Sequence, residues 1–480
     1  YTVTRRDRDE DKSLSRIWMI PAAGGKAIPV TAEGESSSHP RWSPDGRYLA
    51  FLSARNDGKT QVWSLYRGGG EAVQLTDTAQ DVEAFEWSPD AGRILLILQD
   101  PSPEELAAKE QGDAYEEKTP APWVIDREQF KTDYVGYLDR RRTHIHILDL
   151  ATSEIRQLTH GDYDDSGARW SPDGRFIAFV SNRTEKPDRN YNTDIWVVEA
   201  DGSTGPTRVT DNPGPDQAPA WSPDGKLIAH LAMTDTGAML YGTQHLAVSA
   251  ATGGKTNVLT SKLDRMIFAP RFSADGDSVW FLLEDSGEQN LARIGRGGGD
   301  VERLIAGEDT VAEFTLGRDD RVAAVISRPH LPGEVFILAD GAPVQKTFTN
   351  RDVLEGVVLG PVEKISSRSA DGTVIESFVI KPPGFSKGTR YPVILDIHGG
   401  PQSQYDWSFS FDAQLLAAQG YLVVHPNPRG STGYGQEFCL AIWQDWGGPD
   451  FDDVMAAVDD VIERGWGDPE RLGVMGMSAG

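Results

Sequence analysis

Cysteine is nearly missing from this chain: Cys439 is the one thiol in 480 residues. That excludes an internal disulfide framework and fits a reducing compartment. A catalytic thiol is one reading of Cys439, but between Phe438 and Leu440 an ordinary, partly buried cysteine is the better expectation. Long apolar runs are missing as well, and no stretch approaches the roughly 18 apolar residues of a membrane span. Positive charge is scarce, with 47 Lys and Arg against 73 Asp and Glu and a net charge of −26. Nucleic acids and anionic membranes both bind basic surface, so neither is expected as a partner. An initiator methionine is absent too, because the chain starts at Tyr1. The cytoplasm is the expected compartment, with the periplasm or secretion left open by that start.

What is present, first, is a repeat. Trp42-Ser43-Pro44-Asp45-Gly46 leads into the alternating segment Arg47 to Leu52. Trp87-Ser88-Pro89-Asp90 opens a second copy, with Ala91 inserted before Gly92. The motif returns intact at Trp170 to Gly174 and Trp221 to Gly225, worn at Phe272 to Gly276, and degenerate at Leu316 to Asp320. Successive lead residues are 45, 83, 51, 51 and 44 apart. Each unit reads strand, Pro-Asp-Gly turn, strand, third strand, glycine-rich turn and a short fourth strand ending in Leu-Thr or Val-Thr. Four short strands per unit predict a β-propeller blade, since one such sheet buries both faces only by stacking on its neighbours. Ile17 to Ile20, Gly24-Gly25 and Val30-Thr31 read as the latter half of an earlier blade. The expectation is seven blades, the first incomplete at its start; eight would require the long step to hide a worn blade.

That long step holds an insertion around Pro101 to Asp139, rich in Pro and Glu at first (Pro101, Pro103, Glu104, Glu105, Glu116, Glu117, Pro120, Pro122) and read as a loop or short helix. His144 and His146 alternate on a strand, but two imidazoles without a third ligand favour ordinary strand positions over a metal. Asp162, Asp164 and Asp165 are read as solvated turn residues rather than a cation site, and the charged run Arg5 to Lys12 as a solvated loop. No metal and no cofactor are expected.

After residue 351 the grammar changes, which sets expected domains of 1–351 and 352–480. A hairpin turns at Ser369 to Thr373, and Tyr391 to Ile397 is a near-continuous apolar strand. A helix candidate follows at Phe411 to Gln419, then the strand Tyr421 to Val424 and helical spacing at Phe451, Val454, Val458, Val461 and Ile462. Gly467-Asp468-Pro469 signals a turn, and Arg471 to Met475 a buried strand. Strand and helix alternate as in an α/β fold with parallel strands.

That last strand runs into Gly476-Met477-Ser478-Ala479-Gly480, the G-x-S-x-G pattern of a serine on a sharp strand-to-helix turn. Acyl transfer at Ser478 needs N–H donors for the oxyanion, and two sources are in order. One is the N–H of Ala479; the other is the small-residue loop His398-Gly399-Gly400-Pro401, after the strand 391–397. His398 comes too early in the chain for the triad histidine and is read as part of the oxyanion loop. The triad acid and histidine follow the nucleophile in this fold. The chain is therefore expected to be truncated, to lack both, and to be inactive by itself.

Together with Asn427 to Gly435, Asp445-Trp446-Gly447-Gly448 and Asp468-Pro469, these motifs resemble the prolyl oligopeptidase family of serine peptidases, and within it the acylaminoacyl-peptidase and dipeptidyl-peptidase-5-like branch. The resemblance implies a propeller followed by the N-terminal part of an α/β-hydrolase domain, covering the whole chain. It also implies Ser478 as nucleophile, the N–H groups of Gly400 and Ala479 as oxyanion hole, and short peptides as substrates. Many family members have Tyr after the serine where this chain has Ala479; a main-chain donor survives that change. An esterase, or a propeller binding module with a decayed hydrolase domain, is the alternative reading, and a homo-oligomer is left open.

Overall fold

The structure, a computed structural model, describes residues 1–480 except 56–57, 116–118, 120–121 and 239–240. Among the described residues, seven β-sheets of three or four strands follow one another between Thr2 and Gln345, besides a two-stranded hairpin at Lys131–Thr132 and Gly136–Tyr137 in the insertion. The first has three strands, at Thr2–Asp7, Lys12–Met19 and Ile28–Pro29; each of the other six has four. These are the blades of a seven-bladed β-propeller, with the first one strand short, as the repeat predicts. The insertion separates the second strand of the third blade, Arg93–Gln99, from its third, Thr143–Asp149.

The repeated motif works through local hydrogen bonds. Ser171 Oγ donates to Asp173 Oδ1 (2.6 Å), the same oxygen accepts from Arg175 N (3.0 Å), and Phe176 N donates to Ser171 Oγ (2.9 Å). Ser222–Asp224 and Ser273–Asp275 repeat this at 2.7 and 2.6 Å. The residue after the aspartate must take a positive φ, and Gly46, Gly174, Gly225 and Gly276 do so between 68° and 75°. In the second copy Ala91 occupies that slot at φ +57°, and Gly92 arrives one residue late. Motif tryptophans then reach to a neighbouring blade: Trp87 Nε1 donates to Arg41 O and Trp221 Nε1 to Arg169 O, both at 3.1 Å. Apolar faces stack between sheets, with Ile97, Ile145 and Leu95 of the third blade against Trp170, Ile177 and Phe179 of the fourth.

Three readings need correction. The run Arg5 to Lys12 is not a loop: Arg5, Arg6 and Asp7 pair with Leu14, Ser13 and Lys12 in a hairpin, because only 8–11 are needed for the turn. Asp165 is not a solvated turn residue; it is fully buried at the start of a strand, 2.9 Å from Arg183 Nη2, with His144 Nδ1 3.6 Å from its other oxygen. Asp162 and Asp164 are exposed, but both close on the buried guanidinium of Arg142 at 2.7 and 2.8 Å, so an arginine takes the place a cation would hold. Third, the turn signal at Gly467 to Pro469 lies inside a strand, as described below. In the insertion, Pro103–Gln111 is a helix whose N-cap Ser102 and Glu105 form a capping box. Glu116, Glu117 and Pro120 lie outside the described residues. Among the described residues no helix is long and apolar enough to cross a membrane.

Contacts divide the chain into two compact units: 1–230 with 248–257, and 231–247 with 258–480. The second contains the last two blades and a five-stranded sheet. Its strands are β1 (Val362–Arg368), β2 (Val374–Ile380), β3 (Tyr391–Ile397), β4 (Leu422–Asn427) and β5 (Gly467–Gly476), in the spatial order β1-β2-β4-β3-β5. β1, β2 and β4 pair antiparallel, whereas β3 runs parallel to both β4 and β5, so the sheet is mixed. Helix α1 (Phe411–Ala418) packs Ala413 and Ala417 on one face of the sheet; α2 (Gln436–Leu440) is short; α3 (Pro449–Glu463) packs Val454, Ala457, Val458 and Val461 on the other. Ser410 caps α1 by accepting from Ala413 N.

Ser171→Ala removes the donor to Asp173 and the acceptor of Phe176 N in a buried turn. It should cost about 1–2 kcal/mol in denaturant unfolding. Asp173, held below the usual carboxylate range first by Ser171, should also titrate closer to its ordinary value, so that acid unfolding begins at higher pH.

Candidate active site

Ser478 sits at φ +61°, a left-handed conformation rare for any residue but glycine. The turn is closed by Gly480 N donating to Met477 O at 3.1 Å. Its glycines have no room for a side chain: a Cβ on Gly480 would lie 2.1 Å from Ile397 O, and one on Gly476 would lie 2.5 Å from the Gly480 carbonyl carbon. The strained turn is thus held by close backbone approach, which is what the two glycines provide.

Register brings the second loop beside it. β3 and β5 end together, with Ile397 opposite Gly476, so 398–401 and 477–480 leave the sheet side by side. A Cβ on Gly399 would meet Met477 O at 2.9 Å and Ser478 Cβ at 3.2 Å. Gly400 has φ +138°. Ser478, Ala479, His398 and Gly400, singled out from sequence, therefore lie in two adjoining loops.

The strand leading to the serine differs from its reading. β5 skips in register, with Tyr391 opposite Gly467 but Val393 opposite Leu472, so Asp468-Pro469 forms a bulge rather than ending the element. Leu472 and Val474 are 49% and 69% exposed, where a buried strand was expected. β5 is an edge strand here, paired on one side only, and apolar composition alone does not reveal that.

A second layer of polar groups supports the loops. His398 Nδ1 lies 2.8 Å from Gly399 O and Nε2 lies 2.9 Å from Ser431 Oγ. Burial pushes His398 below its ordinary value, which keeps the ring neutral. Tyr405 sets its ring edge-on to His398 (5.3 Å) and stacks on His425 (3.9 Å). His425 Nε2 in turn lies 3.1 Å from Asp396. Burial alone would raise the Asp396 carboxyl, but His425 overrides it and holds the group low. Arg429 forks onto the fully buried Asp453 of α3 at 2.6 and 2.9 Å, and also bonds the hairpin residue Asp371. That hydrogen bond to Asp453 is the main reason its guanidinium is held above its usual value.

The turn of the sixth blade docks on the same loops. Ser286 N donates to Gly433 O (2.9 Å), Gly287 N to Gln404 Oε1 (3.0 Å), and Gln404 Nε2 to Glu288 O (3.0 Å). Glu284, just before this turn, faces Thr432; burial pushes its carboxyl up to about 7. Cys439 is fully buried rather than partly so; burial pushes its thiol up to about 12, and Sγ donates to Ser431 O at 3.3 Å. That is a packed thiol, not an activated one. The sequence reading assigned no chemistry to Ser431, Asp396, His425 or Glu284. Ser431 lay within a quoted motif, but nothing in the linear pattern tells that it meets an imidazole 33 residues away.

Residues 407–480 match the family model described as the prolyl oligopeptidase family. A peptidase of Bacillus subtilis, named uncharacterized peptidase YuxL, is 31% identical over the whole of this chain and 75% of its own length. Dipeptidyl-peptidase 5 of Porphyromonas gingivalis is 31% identical over 65% of this chain, an alignment that takes in 46% of that protein. Acylaminoacyl peptidase of Pyrococcus horikoshii superimposes with a TM-score of 0.81 at 21% identity, over 99% of this chain and 71% of its own; at that identity the likeness is one of fold.

The buried Glu284 makes a pH prediction. A carboxyl raised from 4.5 to about 7 in the native state binds its proton more tightly there than in the unfolded chain. The contribution of Glu284 to native stability should therefore fall as pH rises from 4.5 through 7. In denaturant titrations at pH 4.5 and 8, Glu284→Gln should reduce that fall by more than about 1 kcal/mol. An unchanged pH dependence would show that Glu284 ionises freely.

Proposed function

Because the chain belongs to the prolyl oligopeptidase family, we propose that Ser478 is the nucleophile of a serine peptidase acting on short peptides. The observation that carries this reading is the left-handed Ser478 turn packed against the Gly399-Gly400 loop. In this reading Ser478 Oγ attacks the scissile carbonyl carbon while a base takes its proton. The carbonyl oxygen becomes an oxyanion, stabilised by the N–H groups of Gly400 and Ala479. Collapse of the tetrahedral intermediate expels the amine, which takes the proton back, and water then hydrolyses the acyl-enzyme.

The base is a separate matter. His398 is committed to Gly399 and Ser431, and His425 to Asp396. Among the described residues no histidine is hydrogen-bonded to Ser478. We therefore propose that a polypeptide of these 480 residues alone turns peptides over poorly, at no more than the ~10³–10⁴-fold rate over water left to binding and oxyanion stabilisation. We also place the boundary between propeller and hydrolase domain near residue 351. The relatives' names point to attack near a peptide N-terminus, by dipeptide or acyl-amino-acid release.

In the full-length protein, Ser478→Ala should abolish peptide turnover, while Gly400→Pro, which deletes one oxyanion donor, should lower kcat by on the order of 10²-fold or more. Steady-state kinetics on a short chromogenic peptide measure both. Turnover that survives Ser478→Ala would place the nucleophile elsewhere.

A further inference from the structure

Two tryptophans with no part in the mechanism above stand beside the loop that carries it. Trp443 and Trp446 follow α2 and are 46% and 51% exposed, so each leaves much of a large apolar ring in water. The turn that presents them is tightly set. Gln444, between the two, takes φ +60°, a conformation that persists in a non-glycine residue only where the surroundings enforce it. Trp443 N donates to Leu440 O (2.9 Å), Asp445 N to Ile442 O (3.1 Å) and Gly447 N to Asp450 Oδ1 (2.9 Å).

A third ring joins them. Tyr241 belongs to the segment between the second and third strands of the fifth blade, within the same compact unit. Its hydroxyl accepts from Trp446 Nε1 at 3.0 Å, and its ring meets that of Trp443 edge-on with centroids 4.9 Å apart. The segment is fastened on both sides of the tyrosine by one amide. Gln436 Nε2 donates to Asp235 Oδ2 (3.0 Å), and Gln436 Oε1 accepts from Thr243 N (3.4 Å). Three rings of large apolar area are thus held together by polar groups behind them.

Their place is fixed relative to Ser478. Gln402 Nε2 donates to Gly242 O (2.9 Å), which ties the tyrosine segment to the loop that contains Gly400. Ile442, buried next to Trp443, packs on Gly430, where a Cβ would lie 2.5 Å from Ile442 Cδ1 and 3.1 Å from Pro401 Cβ. At the other end of the loop, a Cβ on Gly399 would lie 3.2 Å from Ser478 Cβ. Residues 399–402 therefore have the serine at one end and the rings at the other, and such a stretch spans at most about 11 Å. An extended peptide advances about 3.3 Å per residue, so a side chain about two to four residues from the bond attacked by Ser478 reaches the rings. A half-exposed ring face offers little to a cation, for which water competes. An apolar side chain gains in proportion to the area it covers.

Resting on the nucleophile reading above, we propose that Tyr241, Trp443 and Trp446 form a specificity subsite that takes a bulky apolar side chain, aromatic by preference, of the peptide substrate. The subsite touches no reacting atom. It binds ground state and transition state alike, so it acts through KM rather than kcat.

The test uses the full-length protein and short fluorogenic peptides with Phe or Ala at each position from the second to the fourth on either side of the scissile bond. One position should favour Phe over Ala by about tenfold or more in kcat/KM, mainly through KM. Trp443→Ala and Tyr241→Ala should each cut kcat/KM on that Phe peptide at least about fivefold more than on its Ala counterpart. Tyr241→Phe, which keeps the ring, should retain most of the preference. No aromatic preference at any of these positions, or a stronger preference for Lys than for Phe, would overturn the proposal. So would a preference unaltered in both Ala variants, or an equal loss on Phe and Ala peptides, which is what rings that only support the fold would give. If Tyr241→Ala does not fold, Trp443→Ala and Trp446→Ala, at side chains already half in solvent, decide by the same ratio. Failure of the underlying reading looks different: Ser478→Ala would then retain turnover on every peptide of the series.

Discussion

The approach of two backbone loops at the ends of β3 and β5 is the constraint on which the rest of the second unit depends. Parallel pairing places Ile397 opposite Gly476, and both strands stop at that level. The space between the loops is too small for a Cβ at 399, 476 or 480. Within it Ser478 is kept at φ +61°, a conformation the isolated chain would rarely visit. Strain of this kind persists only where the surroundings over-determine it. Here the surroundings are Arg429 locked to Asp453 of α3, the segment 430–433 tied to Ser403 and the blade-six turn, and the loop 398–401 packed behind Ser478.

Charge is used locally rather than as a field. The turn aspartates Asp45, Asp90, Asp173, Asp224 and Asp275 each accept from a motif serine, and they are held below their ordinary values by that hydrogen bond first. Near the candidate site the pattern reverses. Glu284 is pushed up by burial, as is Tyr405, while burial keeps His398 neutral. Asp396, two residues before the loop 398–401, is the exception: His425 holds its carboxyl low.

Much of this was legible in the sequence wherever the cause is local. A Trp-Ser-Pro-Asp-Gly turn encodes its own hydrogen bonds within five residues, so the blades and their count of seven could be read directly. The sharp turn at Ser478 and the His-Gly-Gly-Pro loop were legible as backbone features for the same reason, since their glycines answer local needs. What escaped depends on partners far along the chain. Asp165 looked like a turn residue because Arg183 and His144 come from other strands. Leu472 and Val474 read as buried from their apolar pattern and are exposed within residues 1–480, where β5 pairs on one side only. Ser431 carried no signal at all, since a serine in a glycine-rich motif reads as a turn former until the imidazole beside it is seen.

The nucleophile proposed for this protein is the left-handed Ser478 and no other side chain. Its most direct test is to treat the full-length protein with a fluorophosphonate, digest it and locate the adduct by mass spectrometry. One stoichiometric adduct is expected, on the peptide containing Ser478. A protein that is active on peptides but carries its adduct on any other residue would contradict it.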